Sequence, residues 1–291
     1  MRRDSQSTNA GMTYKIIAMN IKDSDLVLEI GSGHNPKPRS DVLCDKLPED
    51  DAQRGGKIIQ DRPFITADGQ YLPFADKSFD YIISCHVLEH TESPALFLSE
   101  LMRVGKAGYI ETPTEIGEKL YGWEYHKWVL KNDSGKLIIK KKTKDSQFGQ
   151  LFHHLYATDH NYARFHTTHH NLFLIQYEWY GKIDYEIVES SDDLIDLNDV
   201  EVVKSLANAQ ANAGISELIK GVVPSNLRQF AKKAIVKGQG RSKRTLKDIQ
   251  KIIVCPLCKN PVQWHGDSLS CISCNRTYPI HDGIPYLLIN F

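Results

Sequence analysis

This chain predicts an α/β fold, an open and mostly parallel sheet with helices on both faces, followed by a small module stapled by a metal ion. Three observations carry that reading. Leu26-Val-Leu-Glu-Ile-Gly-Ser-Gly33 is an apolar run entering a glycine bend, where missing Cβ atoms let a backbone pass close to a ligand. Three later runs, Asp41 to Asp45, Phe64 to Asp68 and Ser78 to Cys85, bring the number of strand ends facing one sheet edge to four, and parallel sheets bind ligands at such ends. Near the C-terminus, four cysteines fall into two Cys-x-x-Cys pairs.

The elements follow in order. Residues 1 to 12 are expected to be disordered, and Tyr14 to Ile21 predicts a helix leading to the first strand. Only eleven residues separate Gly33 from Asp45, Pro36 and Pro38 among them, so a helix after the glycine loop is short or absent. Asp80, at the start of the fourth strand, reads as structural. After His86-Val-Leu-Glu-His90, the segment Pro94 to Arg103 has proline near its start and Ala95, Leu98, Leu101 and Met102 at helical spacing, as a crossover helix requires. Gly105 and Gly108 bracket the turn into a fifth strand, Tyr109 to Pro113. Val129-Leu130 and Leu137 to Ile139, flanking Asn132-Asp-Ser-Gly135, read as a β-hairpin inserted near residues 121–150, placed to serve as a lid or substrate platform.

In combination, the glycine loop, the acid after strand two, Ala67-Asp-Gly69 before Leu72-Pro-Phe74, and Ser78-Phe-Asp80 followed by Leu88-Glu-His90 resemble the class I S-adenosylmethionine (SAM)-dependent methyltransferases. The resemblance is to the subgroup like the quinone C-methylases and covers roughly residues 24 to 113. It implies a Rossmann-like sheet in which strands near 171–177 and 182–189, joined around Tyr180-Gly181, form the antiparallel edge. It also implies roles for individual residues. Glu29, Gly31, Ser32 and Gly33 would lie under the methionine part of SAM, and Asp45 would bind the ribose hydroxyls. Asp68 and the Gly69 backbone would read the adenine edge, while Cys85 and His86 would line the sulfonium; S-adenosylhomocysteine would be the product. From the residues alone, Asp45 reads equally well as a cap on the turn that follows it.

Composition sets the outer bounds. The 291 residues are 41% hydrophobic and 25% charged, as suits a globular chain with a sizeable core and one accessory module. Net charge is zero, which gives no support to a nucleic-acid binder, although charge is unevenly spread. Residues 184–201 carry eight acids and no Lys or Arg, whereas residues 218–251 carry ten bases against the single acid Asp248. In the basic segment Leu227, Phe230, Ala231, Ala234 and Ile235 share a helical face, so residues 215–250 predict a basic helical connector that ends in the linker Gly238 to Arg244. Its default reading is a solvated face; contact of residues 218–251 with an anionic membrane or nucleic acid is the functional alternative. No apolar run approaches the ~20 residues of a membrane span, and no secretory leader is visible, so the expectation is a cytoplasmic protein with reduced thiols.

Cys255-Pro-Leu-Cys258 and Cys271-Ile-Ser-Cys274, with twelve residues between the pairs, have the knuckle spacing of a structural Zn2+ site. Four protein ligands leave no open coordination position, so this ion would hold together a module too small to bury an adequate core. With the tail Tyr278-Pro-Ile-His-Asp-Gly-Ile-Pro285, the module resembles the zinc-ribbon family that includes the activator subunit of eukaryotic tRNA and protein methyltransferases. That resemblance implies a ribbon covering an apolar surface of its own catalytic domain, or of a second copy in a homodimer. The domains expected are 1–214, a connector 215–250, and the ribbon 251–291.

Methyl transfer from a sulfonium needs alignment of the nucleophile and exclusion of water, and a base only where the acceptor must lose a proton. Candidate bases are His86, His90, Glu111 and His126, with His126 first because Trp123, Tyr125 and Trp128 surround it with aromatic surface. Six of the twelve histidines fall between 153 and 170; without a His-Glu-x-x-His pattern they read as an active-site wall or surface. The Asp/Asn-Pro-Pro-Tyr motif that holds amino nitrogens in many methylases is absent after strand four, where Ser84-Cys-His86 stands. The expected acceptor is therefore oxygen or carbon of a small molecule, glycan or lipid-linked group, with an RNA or translation-factor methylase as the alternative and a non-catalytic SAM-fold scaffold third.

Overall fold

The computed structural model describes residues 19–48, 56–190, 192–208 and 244–289. The central sheet has the order β3-β2-β1-β4-β5-β8. It is built from β1 (Val27–Ile30), β2 (Val42–Asp45), β3 (Phe64–Thr66), β4 (Phe79–Cys85), β5 (Gly105–Pro113) and β8 (Leu174–Tyr180). Five strands are parallel and β8 runs antiparallel to β5, from Ala107 opposite Tyr180 to Pro113 opposite Leu174. The strand order reverses beside β1, which sets the loops after β1 and β4 apart as a crevice. This is the expected mixed α/β fold with a central sheet and helices.

Near-continuous burial along β1 and β4 reflects a sheet covered on both faces. On one face α1 (Pro94–Val104) presents Phe97, Leu98, Leu101 and Val104 to Leu28, Ile82 and Ile110. Ser93 starts this helix by accepting from the Leu96 N–H at 3.3 Å, and Pro94 occupies the first turn, where no N–H is needed. On the other face Val27, Tyr81, Ile83 and Tyr109 pack under Met19 and Ile21. The predicted helix from Tyr14 lies mostly outside the described residues, and its end, Met19 to Ile21, is not helical.

Two expectations need correction. Gly105 and Gly108 do not bracket a turn, because β5 begins at Gly105 and α1 feeds straight into it. Gly108 is instead a site of close approach, where a Cβ would meet the Ile82 carbonyl oxygen at 2.5 Å and the Trp179 ring at 2.9 Å. The second correction concerns β9 (Tyr185–Val188), which does not join the antiparallel edge of the central sheet. It pairs parallel to β7 (Lys136–Lys141), which forms the predicted hairpin with β6 (Trp128–Asp133), giving a separate sheet β6-β7-β9. Leu130, Leu137 and Ile139 anchor that sheet in the main core, so the hairpin is integral to the domain.

Between β5 and β6 stands α2 (Glu115–Tyr121), capped by Thr114 and ended by left-handed Gly122. After the hairpin, α3 (Gly149–Thr158), α4 (His160–Thr168) and α5 (His170–Phe173) carry the histidine-rich segment, and α6 (Val200–Asn208) follows β9. The linker Gly238 to Lys243 and most of the basic connector, with its expected boundary at 214/215, lie outside the described residues.

The C-terminal unit opens with a short helix, Leu246–Ile249, held by a capping box between Thr245 and Asp248. A four-stranded antiparallel sheet follows, β10 (Val262–Trp264), β11 (Ser268–Cys271), β12 (Thr277–His281) and β13 (Ile284–Pro285). This unit docks on its own chain's central sheet. Ile253 bridges to Phe74, Tyr286 bridges to Thr66, and Leu269, Tyr278 and Leu287 share one buried cluster with Leu72 and Phe74. The edge of β3 is thereby covered. No helix among the described residues is long and apolar enough to cross a membrane.

Candidate functional site

The crevice above β1 is organised by Glu29. Its carboxylate is buried and accepts the Lys37 N–H at 2.8 Å and the Ser40 hydroxyl. Burial lifts it to about 7 against the pull of those hydrogen bonds. Gly31 follows at φ +69°, and a Cβ there would lie 2.3 Å from Val87. Ser32 is buried with its hydroxyl unpartnered among the described residues, and the Gly33 N–H donates to Asp45 at 3.1 Å.

The strand ends converge as expected, with differing tasks. Asp45 holds Gly33 and accepts from the Leu47 N–H at 3.1 Å, so in this state it braces the glycine loop, the capping role that the residues alone allow. Asp68 pairs with Lys46 at 2.7 Å and accepts from the Gln70 N–H at 2.9 Å; Gly69 lies beside it, packed against Phe97. Asp80 accepts from the Leu26 N–H at 2.9 Å and pairs with Lys106, the structural role expected of it.

Cys85 ends β4 partly buried, its thiol pushed up by burial. His86 follows with φ +56°, a conformation a non-glycine residue rarely adopts without being held. Its Nε2 lies 3.5 Å from Glu111 and its Nδ1 3.4 Å from Glu89. Burial alone would lower its pKa, but hydrogen bonds to the two carboxylates raise it to about 9. Glu111, within β5 and facing back toward this turn, also accepts from Tyr109 at 2.6 Å and Gln176 at 3.1 Å. Burial opposes its ionisation, yet His86 and Tyr109 together hold it at about 2. At neutral pH His86 is thus a cation held between anions, both its ring N–H groups turned to Glu89 and Glu111; neither His86 nor Glu111 is poised as a base.

His90 closes a 3-10 turn, Leu88–His90. Burial lowers its pKa, so it is neutral at pH 7. His126 is buried, its Nδ1 2.7 Å from Glu118, with Trp123 stacked on one side and His90 edge-on at 4.6 Å. A cleft of about 560 Å³ opens beside it, lined by Glu92, Lys127, Trp128, Lys142, Lys144 and Asp145. Of the six clustered histidines, His153 and His166 pack edge-on to Tyr121, and His166 stacks on Phe173, its pKa pushed down to about 4 by burial and then by His170. This is an aromatic wall.

Sequence reasoning missed Lys37 and Glu118. Burial works against the Lys37 ammonium, but Cys85, Glu111 and Glu29 around it raise its pKa, which places this cation in the same crevice. Nothing in Pro36-Lys-Pro38 signals that placement. Glu118 meets His126 only because the chain reverses at Gly122.

In the C-terminal unit the four cysteine sulfurs lie within 4.8 Å of one another, Cys255 and Cys274 at 3.7 Å and Cys258 and Cys271 at 3.4 Å. Tetrahedral Zn–S bonds of ~2.3 Å place sulfurs about 3.8 Å apart, so the donor set fits that ion. The Tyr278 hydroxyl lies 3.2 Å from Cys255 Sγ.

Comparison with known proteins agrees with this division. Residues 44–110 match the methyltransferase domain family, and residues 247–283 match the Trm112p-like protein family. A UPF0434 protein of Methylobacillus flagellatus is 45% identical over 40 residues, 13% of this chain and 67% of that protein. An uncharacterised protein of Methanocaldococcus jannaschii is 31% identical over 127 residues, 42% of this chain and 53% of its own length. The chain thus spans between half and two thirds of these relatives. Among solved structures, a complex between the Haloferax volcanii Trm112 methyltransferase activator and a putative methyltransferase is similar over 33% of this chain and 48% of that one, at 24% identity and a TM-score of 0.27. A putative methyltransferase from Bacillus halodurans is similar over 39% and 66%, at 17% identity and a TM-score of 0.28.

Proposed function

We propose that this chain, which joins a methyltransferase domain to a ribbon belonging to the Trm112p-like family, transfers a methyl group from SAM to oxygen or carbon of a small-molecule, glycan or lipid-linked acceptor. The observation that carries the reading is the crevice over β1. There the buried Glu29 carboxylate and the left-handed Gly31 at the end of β1, Asp45 at the end of β2 and the Asp68 loop after β3 lie on one edge of the sheet.

In this reading SAM lies along that edge, its methionine part over Glu29 and Gly31 to Gly33, its adenine at Asp68 and Gly69. Glu29, lifted toward neutrality by burial, ionises readily when the ammonium of SAM arrives. Cys85 and His86 flank the sulfonium, and the acceptor enters from the cleft beside His126, whose volume suits a drug-sized group. The protein's work is orientation and exclusion of water, with Glu89 and Glu111 fixing the His86 ring and offsetting the charge that would otherwise repel the sulfonium. Zn2+ in the ribbon, held by Cys255, Cys258, Cys271 and Cys274, would supply structure alone.

The test is calorimetric titration with SAM and S-adenosylhomocysteine, then transfer of labelled methyl groups into a cell extract fractionated as lipid, glycan, RNA and protein. Label in the lipid, glycan or small-molecule fraction is expected. Label confined to RNA or protein would overturn the acceptor class, and no binding of either nucleoside would overturn the reading itself.

A further inference from the structure

Glu89, His90 and His126 come from two separate segments, the turn after β4 and the stretch between α2 and β6. One possible ligand atom from each lies within 4.8 Å of the others. Both imidazoles are oriented from behind. The Nδ1 of His126 engages Glu118, itself tethered by Lys142 at 2.8 Å, which leaves Nε2 as the outward nitrogen. His90 hydrogen-bonds the Tyr125 backbone, while its Nδ1 is buried with no partner among the described residues. Glu89 is buried; one oxygen accepts from Thr112 at 3.0 Å, and the other lies 3.4 Å from His86. An unpaired buried nitrogen beside a second imidazole and a carboxylate calls for an explanation.

We propose that Glu89, His90 and His126 form a second metal centre, a two-histidine, one-carboxylate site for a divalent transition-metal ion. The donor types are those such ions prefer, and a carboxylate or carbonyl behind each ligating ring is the usual outer support. Bonds of ~2.0–2.2 Å to a shared ion bring donor atoms to about 3–3.5 Å apart, so small side-chain rotations of roughly 1 Å close the site. Three protein ligands leave coordination positions open, unlike the four-cysteine site. Because His126 borders the cleft, those positions face the acceptor, and an acceptor oxygen would complete the shell. That last role rests on the methyl-transfer reading; the ion's presence does not.

The full-length protein, loaded with one equivalent of Zn2+ per chain, which the four-thiolate ribbon takes first, and freed of excess metal, is titrated with Co2+. One further equivalent per chain is expected, giving visible ligand-field absorption without a thiolate charge-transfer band. Affinity should fall roughly 10- to 100-fold in Glu118→Gln, which keeps the three donors and weakens the support behind His126 while Asp145 still pairs Lys142, and further in His126→Ala. Anomalous diffraction at the cobalt edge should place the ion between the three side chains. No extra Co2+ in the wild type, a thiolate band alone, or an ion elsewhere would each overturn the site, without recourse to any variant. SAM titration of the same sample keeps the two readings apart: SAM binding without Co2+ uptake defeats only the metal centre, and Co2+ uptake without SAM binding defeats only the methyl-transfer reading.

Discussion

The backbone N–H of Leu287 donates to the carbonyl of Thr66 at 2.7 Å. Thr66 ends β3, and two residues later Asp68 occupies the end of the sheet edge assigned to the donor. The ribbon is therefore hydrogen-bonded to a strand that carries the crevice, and it also covers Leu72 and Phe74 beneath the following loop. The segment matching the Trm112p-like family thus makes an intramolecular contact in this chain.

Removing zinc should therefore reach the donor site. Without their ion the cysteines take up protons and nothing draws the two knuckles together, and a module of this size loses its fold when the metal that closes it is taken. Chelation should lower the melting temperature of the whole chain and weaken SAM binding by about tenfold, the equivalent of 1.4 kcal/mol of disorder passed to the Asp68 loop. Calorimetry before and after chelation, followed by zinc add-back, makes the measurement. SAM affinity unchanged in the metal-free protein would mean that the ribbon and the crevice are energetically separate.

Lys259 offers a milder probe of the same interface. Its ammonium reaches Glu100 on α1 at 2.7 Å and the Leu72 carbonyl at 3.2 Å. Arg103 also holds Glu100, so Lys259→Ala leaves no isolated buried charge. The expected loss is that of one charged hydrogen bond, about 1.5–3 kcal/mol, seen as a lower urea midpoint with zinc content intact. An unmoved midpoint would show that the docking is carried by the apolar contacts alone.

The parts of this fold legible in the sequence are those whose cause is local. The strands β1 to β5 announce themselves as short apolar runs, α1 by Pro94 and its apolar spacing, the β6–β7 hairpin by Asn132 to Gly135, and the ribbon by its cysteines. What was hidden depends on partners distant in sequence. Tyr185 to Val188 carries a strand pattern that says nothing of whether β7 or β8 receives it. Gly108 looks like a turn former until Trp179 is seen against it. Lys37 enters the crevice because Pro36 and Pro38 hold an irregular loop over Glu29, and no periodicity marks such a path.

Glu29 makes SAM binding pH-dependent, with a sign that can be worked out. Its folded pKa of about 7 lies above the ordinary 4.5, so the native state without ligand keeps a proton that the unfolded chain has lost. The stability this contributes is full below about 4.5 and is lost as pH rises through 7. A cationic ligand favours the ionised carboxylate. Binding should therefore release a proton below pH 7, and affinity should rise about tenfold between roughly pH 6 and 8, then level off. Titrations in two buffers of different ionisation enthalpy measure the proton directly. A Glu29→Gln protein should show a flat profile; a slope that persists in it would assign the proton to another group.

Asp68 gives the most direct test of the donor edge, because its present partners are known. Its carboxylate accepts from the Gln70 N–H at 2.9 Å and pairs with half-exposed Lys46 at 2.7 Å. Asparagine at this position can keep the turn-forming hydrogen bond to Gln70 but lacks the charge that would strengthen a bond from the adenine amino group. Alanine loses both. A charged hydrogen bond contributes about 1.5–3 kcal/mol, so Asp68→Ala should weaken SAM by roughly 10- to 100-fold. The Asp68→Asn protein should fall between alanine and wild type in affinity while matching the wild-type melting temperature. The exposed Lys46 pair has little weight of its own. If both variants lower the melting temperature yet bind SAM as before, Asp68 shapes the loop after β3 and does not touch the nucleoside.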